Sequence, residues 1–264
     1  MSTLQIAETE SSPFALSPSQ VQQFHEQGYL GPFRAFSIDE MAELRAAIED
    51  VLEIDPPDHQ RRDHNRHLDD PTVYQVSTAP AIVDKFVSIL GPDLLLWRAH
   101  MFVKRPGDLS IPWHQDANYW PLEPAVVASA WLAIDPATTE NSCVRLIPGT
   151  HRKIVPHIAV PEGVEAAWPV YADPSYFDTA DAIDMELEPG EFFLFNERTL
   201  HFSDTNHSDT RRIGLSLRVI PPITRVLDWD SPDHRTVVIS GEDRMQFNPS
   251  IRSPFATDLE NATR

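Results

Sequence analysis

The stretch Ile213-Gly214-Leu215-Ser216-Leu217-Arg218-Val219-Ile220 alternates in character, with Leu215, Leu217 and Val219 on one face. Side chains of a strand point alternately to opposite faces, so a period of two predicts a strand with one apolar side. Five further segments fit the same reading. Leu94–Val103 and Val126–Asp135 are apolar strands, and Cys143–Ile147 runs into a Pro148-Gly149 turn. Ile183–Leu187 and Glu191–Phe195 flank Pro189-Gly190 and predict a hairpin. Short strands separated by turns mean an antiparallel sandwich or barrel. Residues 104–125 and 150–182 read as long loops.

The N-terminal third has a different texture. Ser17-Pro18-Ser19-Gln20 and Ser37-Ile38-Asp39-Glu40 are capping boxes that open helices, the first stopped by Gly28 and the second by Pro56-Pro57. A third helix runs from Pro80 to Leu90, and residues 58–70 read as a polar loop or lid. The expected organisation is a loose tail over 1–15 and one domain over 16–264. Within it lie a helical layer (16–92), a β core (93–240) and a C-terminal extension (241–264).

Composition narrows the classes of function. Hydrophobic residues make up 41% and charged residues 23% of 264 residues, an ordinary globular balance with ample material for a core. The net charge of −19 disfavours nucleic acid and anionic membrane surfaces as partners. No stretch approaches the length of a membrane span and the N-terminus lacks a signal-peptide pattern, so a cytoplasmic enzyme is the expectation. Cys143 is the single cysteine, which excludes an intrachain disulfide and a cysteine-based zinc site.

Three His-x-Asp triplets occur: His67-Leu68-Asp69, His114-Gln115-Asp116 and His207-Ser208-Asp209. The first lies in the charge-rich loop and the third in a turn-like stretch. The second lies among Trp113, Asn118, Tyr119 and Trp120, aromatic and polar residues able to wall a pocket. Two ligands at i and i+2 of a strand share a face, and a further histidine, His201, follows the apolar strand before it. Two histidines and one carboxylate on one face of an octahedron leave three positions open, an arrangement suited to non-haem Fe(II). Arg212 opens the next strand and is expected to run beside the His201 strand. Its guanidinium suits the distal carboxylate of 2-oxoglutarate through a bidentate pair, with Ser203 on the same face as His201.

His114-x-Asp116, His201 and Arg212, in this order and spacing, resemble the phytanoyl-CoA dioxygenase family of Fe(II)/2-oxoglutarate-dependent oxygenases. Supporting stretches are Gly28-Tyr29-Leu30, Lys104-Arg105-Pro106-Gly107, Trp113-His114-Gln115-Asp116-x-x-Tyr119-Trp120, Trp131-Leu132-Ala133-Ile134-Asp135 and Pro148-Gly149-Thr150-His151-Arg152. The resemblance covers roughly residues 16–240. It implies a mainly β fold, a double-stranded β-helix (jelly-roll, cupin-like) with flanking helices. It also implies His114, Asp116 and His201 as catalytic metal ligands, with Met101 and Trp131 lining the cosubstrate pocket beside Arg212 and Ser203. Fe(II), 2-oxoglutarate and O2 are the implied cofactors, ascorbate an implied stimulant, and hydroxylation of a small molecule with release of succinate and CO2 the implied reaction. Family members that halogenate lack the carboxylate that Asp116 supplies. Phe202 stands where the family often has Gly, and Asn141-Ser142 where it often has Asn-Gly.

Candidate substrate contacts are Trp113, Asn118, Tyr119, Trp120, His67, Arg98 and His100, each of which packing or solvent exposure also explains. A zinc hydrolase would need a general base beside the metal, and neither ligand stretch carries an evident Glu. A non-catalytic 2-oxoglutarate or metal sensor on the same barrel is the other alternative, although such sites usually lose a ligand. The oligomeric state is not encoded in any pattern found here.

Overall fold

The computed structural model describes residues 12–56 and 61–256. Helix α1 (Pro18–Gln27) starts where Ser17 and Gln20 reciprocate a capping box and ends at Gly28, whose φ of 76° a glycine adopts without strain. Helix α2 (Ile38–Glu53) is opened in the same way by Ser37 and Glu40. Helix α3 (Pro71–Ser77), which the sequence reading does not separate from its surroundings, is capped by the Asp70 side chain on Val73 N–H. Helix α4 (Pro80–Leu90) follows.

With strands numbered along the chain, the larger sheet runs in the spatial order β1 (Tyr29–Arg34), β10 (Glu191–Asn196), β5 (Ala128–Ala133), β12 (Arg212–Ile220), β2 (Leu94–Lys104), β14 (Thr236–Ser240), β15 (Ser250–Ile251). Its pairings are antiparallel except β14 with β15. The smaller sheet has the order β3 (Ile111–His114), β11 (His201–Ser203), β6 (Val144–Leu146), β9 (Ile183–Met185), all antiparallel. Two short pairs complete the strands: β4 (Leu122–Glu123) with β13 (Arg225–Val226), and β7 (His157–Ala159) with β8 (Val170–Ala172). The fold is a jelly-roll with an N-terminal helical layer.

The larger sheet is covered on both faces. One side packs Met101, Leu132, Leu215 and Leu217 against Met41, Ile48, Ile82 and Phe86 of the helices. The other side packs Trp131, Phe193 and Phe195 against Cys143, Leu146 and Met185, which belong to the smaller sheet or adjoin it. The alternation of residues 213–220 therefore sends Leu215, Leu217 and Val219 to the helices. Arg212, Gly214, Ser216 and Arg218 point between the sheets.

Four expectations are corrected. Pro189-Gly190 does not close a hairpin: β9 pairs with β6 and β10 pairs with β1 and β5, so the turn carries the chain from one sheet to the other. The Arg212 strand does not run beside the His201 strand, because β12 and β11 lie in opposite sheets. Residues 12–15 of the tail are docked on α4, where Leu16 N–H donates to Ser88 Oγ at 3.0 Å and Lys85 Nζ to Phe14 O at 3.0 Å; residues 1–11 lie outside the described part. The described part of the 58–70 stretch is a strut rather than a solvated lid. Arg66, buried, donates to Val51 O at 2.6 Å, and Asn65 and Met101 N–H bond Ala99 O (2.6 Å) and Asp63 O (2.7 Å). Residues 57–60, which include Pro57 of the helix stop, lie outside it.

Ser142 takes φ 76°, a left-handed conformation that glycine adopts without strain, and its hydroxyl donates to Asp204 O. The opposed faces of β12 make a direct stability test. Leu215→Ala should cost ~2–5 kcal/mol through the cavity it leaves. Ser216→Ala, whose hydroxyl has no hydrogen-bond partner among the described residues, should be within ~0.5 kcal/mol of wild type in urea unfolding.

Candidate active site

β3 ends at His114, and β11 begins at His201. The two residues face each other directly across the antiparallel pair, with ring centroids 4.0 Å apart. Gln115 stays extended and Asp116 opens a single 3-10 turn, Asp116–Asn118, so that its carboxylate swings back toward both imidazoles. His114 Nε2 lies 3.6 Å from Asp116 Oδ1, and His201 Nε2 lies 3.9 Å from Asp116 Oδ2. Ligand atoms of all three lie within 4.8 Å of one another.

The protein fixes which nitrogen each histidine presents. The His114 ring sits with Nδ1 2.7 Å from Pro112 O, and His201 with Nδ1 2.9 Å from Thr199 O. A carbonyl only accepts, so each Nδ1 carries the proton and each Nε2 keeps a free lone pair toward the centre. Burial, with His114 alongside, pushes His201 down to about 3 and keeps it neutral. Burial by itself raises Asp116, but the His114 hydrogen bond, the adjacent His201 ring and the Arg218 guanidinium outweigh it and hold the carboxyl below its usual range. A neutral His201 beside an ionised Asp116 is the protonation pattern of metal ligands.

The loop carrying Asp116 is tied down by Gln115. Its amide donates to Lys153 O (2.7 Å) and Arg198 O (2.6 Å) and accepts from Val155 N–H (2.9 Å). Ala117 N–H donates to Glu197 O at 2.9 Å. Glu197 is itself buried, which pushes its carboxyl up to about 7, but it does not line the cavity.

The cavity floor lies between the sheets. Arg212 is 1% exposed, with its Nε unpartnered and its guanidinium 5.1 Å from the Trp131 ring. Burial pushes it down to about 10. Ser203 Oγ and Ser216 Oγ line the same space without partners. Three orphaned donors around one guanidinium fit the carboxylate of a bound small molecule, since an unanswered buried polar group is costly. The floor depends on Gly214, where a Cβ would come within 2.0 Å of the Trp131 ring.

Other predicted contacts divide. Tyr119, Trp120, Arg98 and His100 meet in an outer chamber that shares Asp116, Phe102 and Arg218 with the inner cavity. Arg98 pairs with Asp230, and His100 Nε2 lies 3.5 Å from Asp63 Oδ2. Asp63, His64 and His100 form a second group within metal-ligand reach, with Asp63 Oδ1 2.8 Å from His64 Nδ1. Met101 is a correction: it lies on the opposite face of β2 from His100 and Phe102 and packs in the helical core. Trp113 faces outward from β3 and stacks on Phe202 at 5.2 Å, so it is packing. Asn118 is exposed and lines neither chamber. His67 is fully buried and held neutral, pushed down to about 3 by burial, so it brings no charge to a substrate. Phe202 lines the inner cavity and narrows it.

Among the cavity residues that the sequence reading missed, two bear most on the chemistry. Arg218 lines both chambers, and the period of two that places Arg212 on the inner face of β12 also places Arg218 there. Trp168, whose ring is 4.4 Å from that of His114, comes from the long 150–182 loop, where no periodicity signals a site.

Residues 24–214 match the family model "Phytanoyl-CoA dioxygenase (PhyH)", and the chain belongs to that family. A probable phytanoyl-CoA dioxygenase of Caenorhabditis elegans is 30% identical over 159 residues, 56% of this chain and 50% of that one. A probable alpha-ketoglutarate-dependent hypophosphite dioxygenase of Stutzerimonas stutzeri is 25% identical over 251 residues, 84% of this chain and 85% of that one. The chain spans about half the length of the curated relatives it matches first, from 46% to 58%. The solved structure "CytC3 with Fe(II) and alpha-ketoglutarate" superposes with a TM-score of 0.72 at 25% identity, covering 91% of this chain and 95% of that one. Among the described residues no helix is long and apolar enough to cross a membrane.

Gln115→Ala, which frees the Asp116 loop without touching a donor atom, should weaken Fe(II) or Mn(II) binding ~10–100-fold in a metal titration. Gly214→Ala should displace the Trp131 ring and weaken 2-oxoglutarate binding ~10-fold or more, measured by calorimetry, with the fold retained by circular dichroism.

Proposed function

We propose that this chain is a 2-oxoglutarate-dependent non-haem iron oxygenase that hydroxylates an unactivated carbon of a small molecule, releasing succinate and CO2. The observation that carries the reading is the buried His114–Asp116–His201 donor set opening into a cavity whose far wall is an unpartnered guanidinium. Two imidazoles and one carboxylate on one side of a centre suit Fe(II), which keeps positions for a bidentate cosubstrate and O2. His114 Nε2, Asp116 and His201 Nε2 hold the metal. Arg212 pairs with the distal carboxylate of 2-oxoglutarate, Ser203 donates to it, and Trp131 walls its carbon chain. When bound, iron supplies dioxygen activation coupled to decarboxylation of 2-oxoglutarate.

The protein's own part is placement and exclusion of water. Phe102, Phe195, Phe202 and Trp168 line the cavity and strengthen every charge interaction inside it. Arg212 cannot discharge at neutral pH even at about 10, so it stays a fixed cation for a dianionic cosubstrate. Asp116 occupies the position a halide would need, which favours hydroxylation. Glu197, whose carboxyl burial pushes up to about 7, lies off the cavity wall, which counts against the general base that a zinc hydrolase would need. Similarity over most of both chains to a hypophosphite dioxygenase supports a small substrate.

Anaerobic loading with Fe(II) followed by O2, 2-oxoglutarate and ascorbate should yield succinate and CO2. His114→Ala should abolish it. Arg212→Gln should raise the 2-oxoglutarate KM ~10–100-fold while leaving metal binding within twofold. Wild-type protein that binds neither Fe(II) nor 2-oxoglutarate would sink the reading.

A further inference from the structure

Arg218 and Arg98 are directly opposite each other in the β12–β2 register, both turned into the outer chamber. Like charges directly opposite are unfavourable on a sheet, and one of the two is answered: Arg98 pairs with Asp230. Arg218 is not. It is 6% exposed, its Nε has no partner, and its guanidinium makes no hydrogen bond or ion pair with any described residue. Aromatic rings flank it instead, Phe102 at 5.7 Å and Trp120 at 5.2 Å. Burial pushes it down to about 10; Asp116 and Asp230, the partner of Arg98, favour its charge from a distance, but neither forms an ion pair with it.

The remaining groups facing the chamber cancel or are neutral. His100 is pushed down to about 3 by burial, and Asp63 is shared among the exposed Arg61, His64 and His100. One buried cation with no hydrogen-bonded or ion-paired partner among the described residues is therefore left at the mouth of the site, in a chain whose net charge of −19 repels anions at long range. A buried guanidinium without a counter-ion is costly and persists where a ligand supplies the missing charge.

We propose that the outer chamber is an anion receptor, in which Arg218 pairs with a carboxylate, phosphonate or phosphate group of the primary substrate. Phe102 and Trp120 clasp the guanidinium and fix its plane for a bidentate pair. Because Arg218 also borders the inner cavity, an anion held there sets the adjoining carbons of the substrate over the His114–Asp116–His201 face. This deepens the oxygenase reading and rests on it for the role of the bound molecule. The two guanidiniums of β12 then divide the work, Arg212 for the cosubstrate and Arg218 for the substrate.

The test uses 3-phenylpropionate, benzylphosphonate and phenyl phosphate as probes, with neutral 3-phenylpropanamide as their control. Binding is followed by tryptophan fluorescence and calorimetry, on metal-free protein and on anaerobic protein loaded with Fe(II) and 2-oxoglutarate. At least one acid should bind at millimolar concentration or better and ~10-fold or more tighter than the amide. Arg218→Gln should remove that preference, Arg218→Lys should keep part of it, and Arg225→Gln, an exposed arginine away from both chambers, should leave it unchanged. The 2-oxoglutarate affinity of Arg218→Gln should stay within twofold of wild type. Equal binding of acid and amide overturns the proposal, as does binding of none of the three acids. So does an Arg218→Gln protein that keeps the preference or loses 2-oxoglutarate in proportion, since Arg218 would then serve the cosubstrate. Failure of Fe(II) or 2-oxoglutarate to bind wild-type protein sinks the oxygenase reading alone, because the acid titration on metal-free protein reads the receptor independently.

Discussion

The site depends on one pairing, that of β11 against β3, which sets His201 directly across from His114. A slip of one residue would turn either imidazole to the other face of the smaller sheet, where Trp113 now packs. The donor groups are then held by residues within and beside the pair. Pro112 and Thr199 carbonyls fix the rings, and Gln115 locks the loop that returns Asp116. A donor set built this way is formed before any ligand arrives, so little ordering cost falls on binding.

The second constraint is charge between the sheets. The inner face of β12 carries two arginines on a strand buried from end to end. Among the described residues neither guanidinium has an anion in contact, and both are pushed down to about 10 by burial. Such an arrangement is unfavourable for the folded chain alone, and the helical layer offsets it. Leu215, Leu217 and Val219, on the other face of the same strand, bury against the helices. One strand thus supplies the sheet's core packing and the site's unmet positive charge on opposite sides, and the period of two keeps the functions apart.

Much of this was legible in the sequence. Capping boxes fixed the starts of α1 and α2, because the signal lies within four residues. The alternation of residues 213–220 gave β12 and its apolar face. The His114-x-Asp116, His201 and Arg212 spacing led to residues that the structure brings to one cavity. The same alternation contained Arg218, and reading its polar face as closely as its apolar one would have found it.

What local pattern could not carry was partnership. Pro189-Gly190 looks the same whether it closes a hairpin or transfers the chain between sheets, since turn chemistry is local and strand pairing is not. Met101 and His100 are neighbours in sequence, and only the packing of α2 and α4 on one side of β2 decides which of them meets the cavity. His67 sits in a run of charged residues yet is fully buried, because residues 63–65 hydrogen-bond along β2. The sequence by itself determined which residue types stand at which spacing, and so the chemistry available. The tertiary structure decided which side chains share a space and which charges go unanswered, because burial and charge compensation are sums over the whole fold.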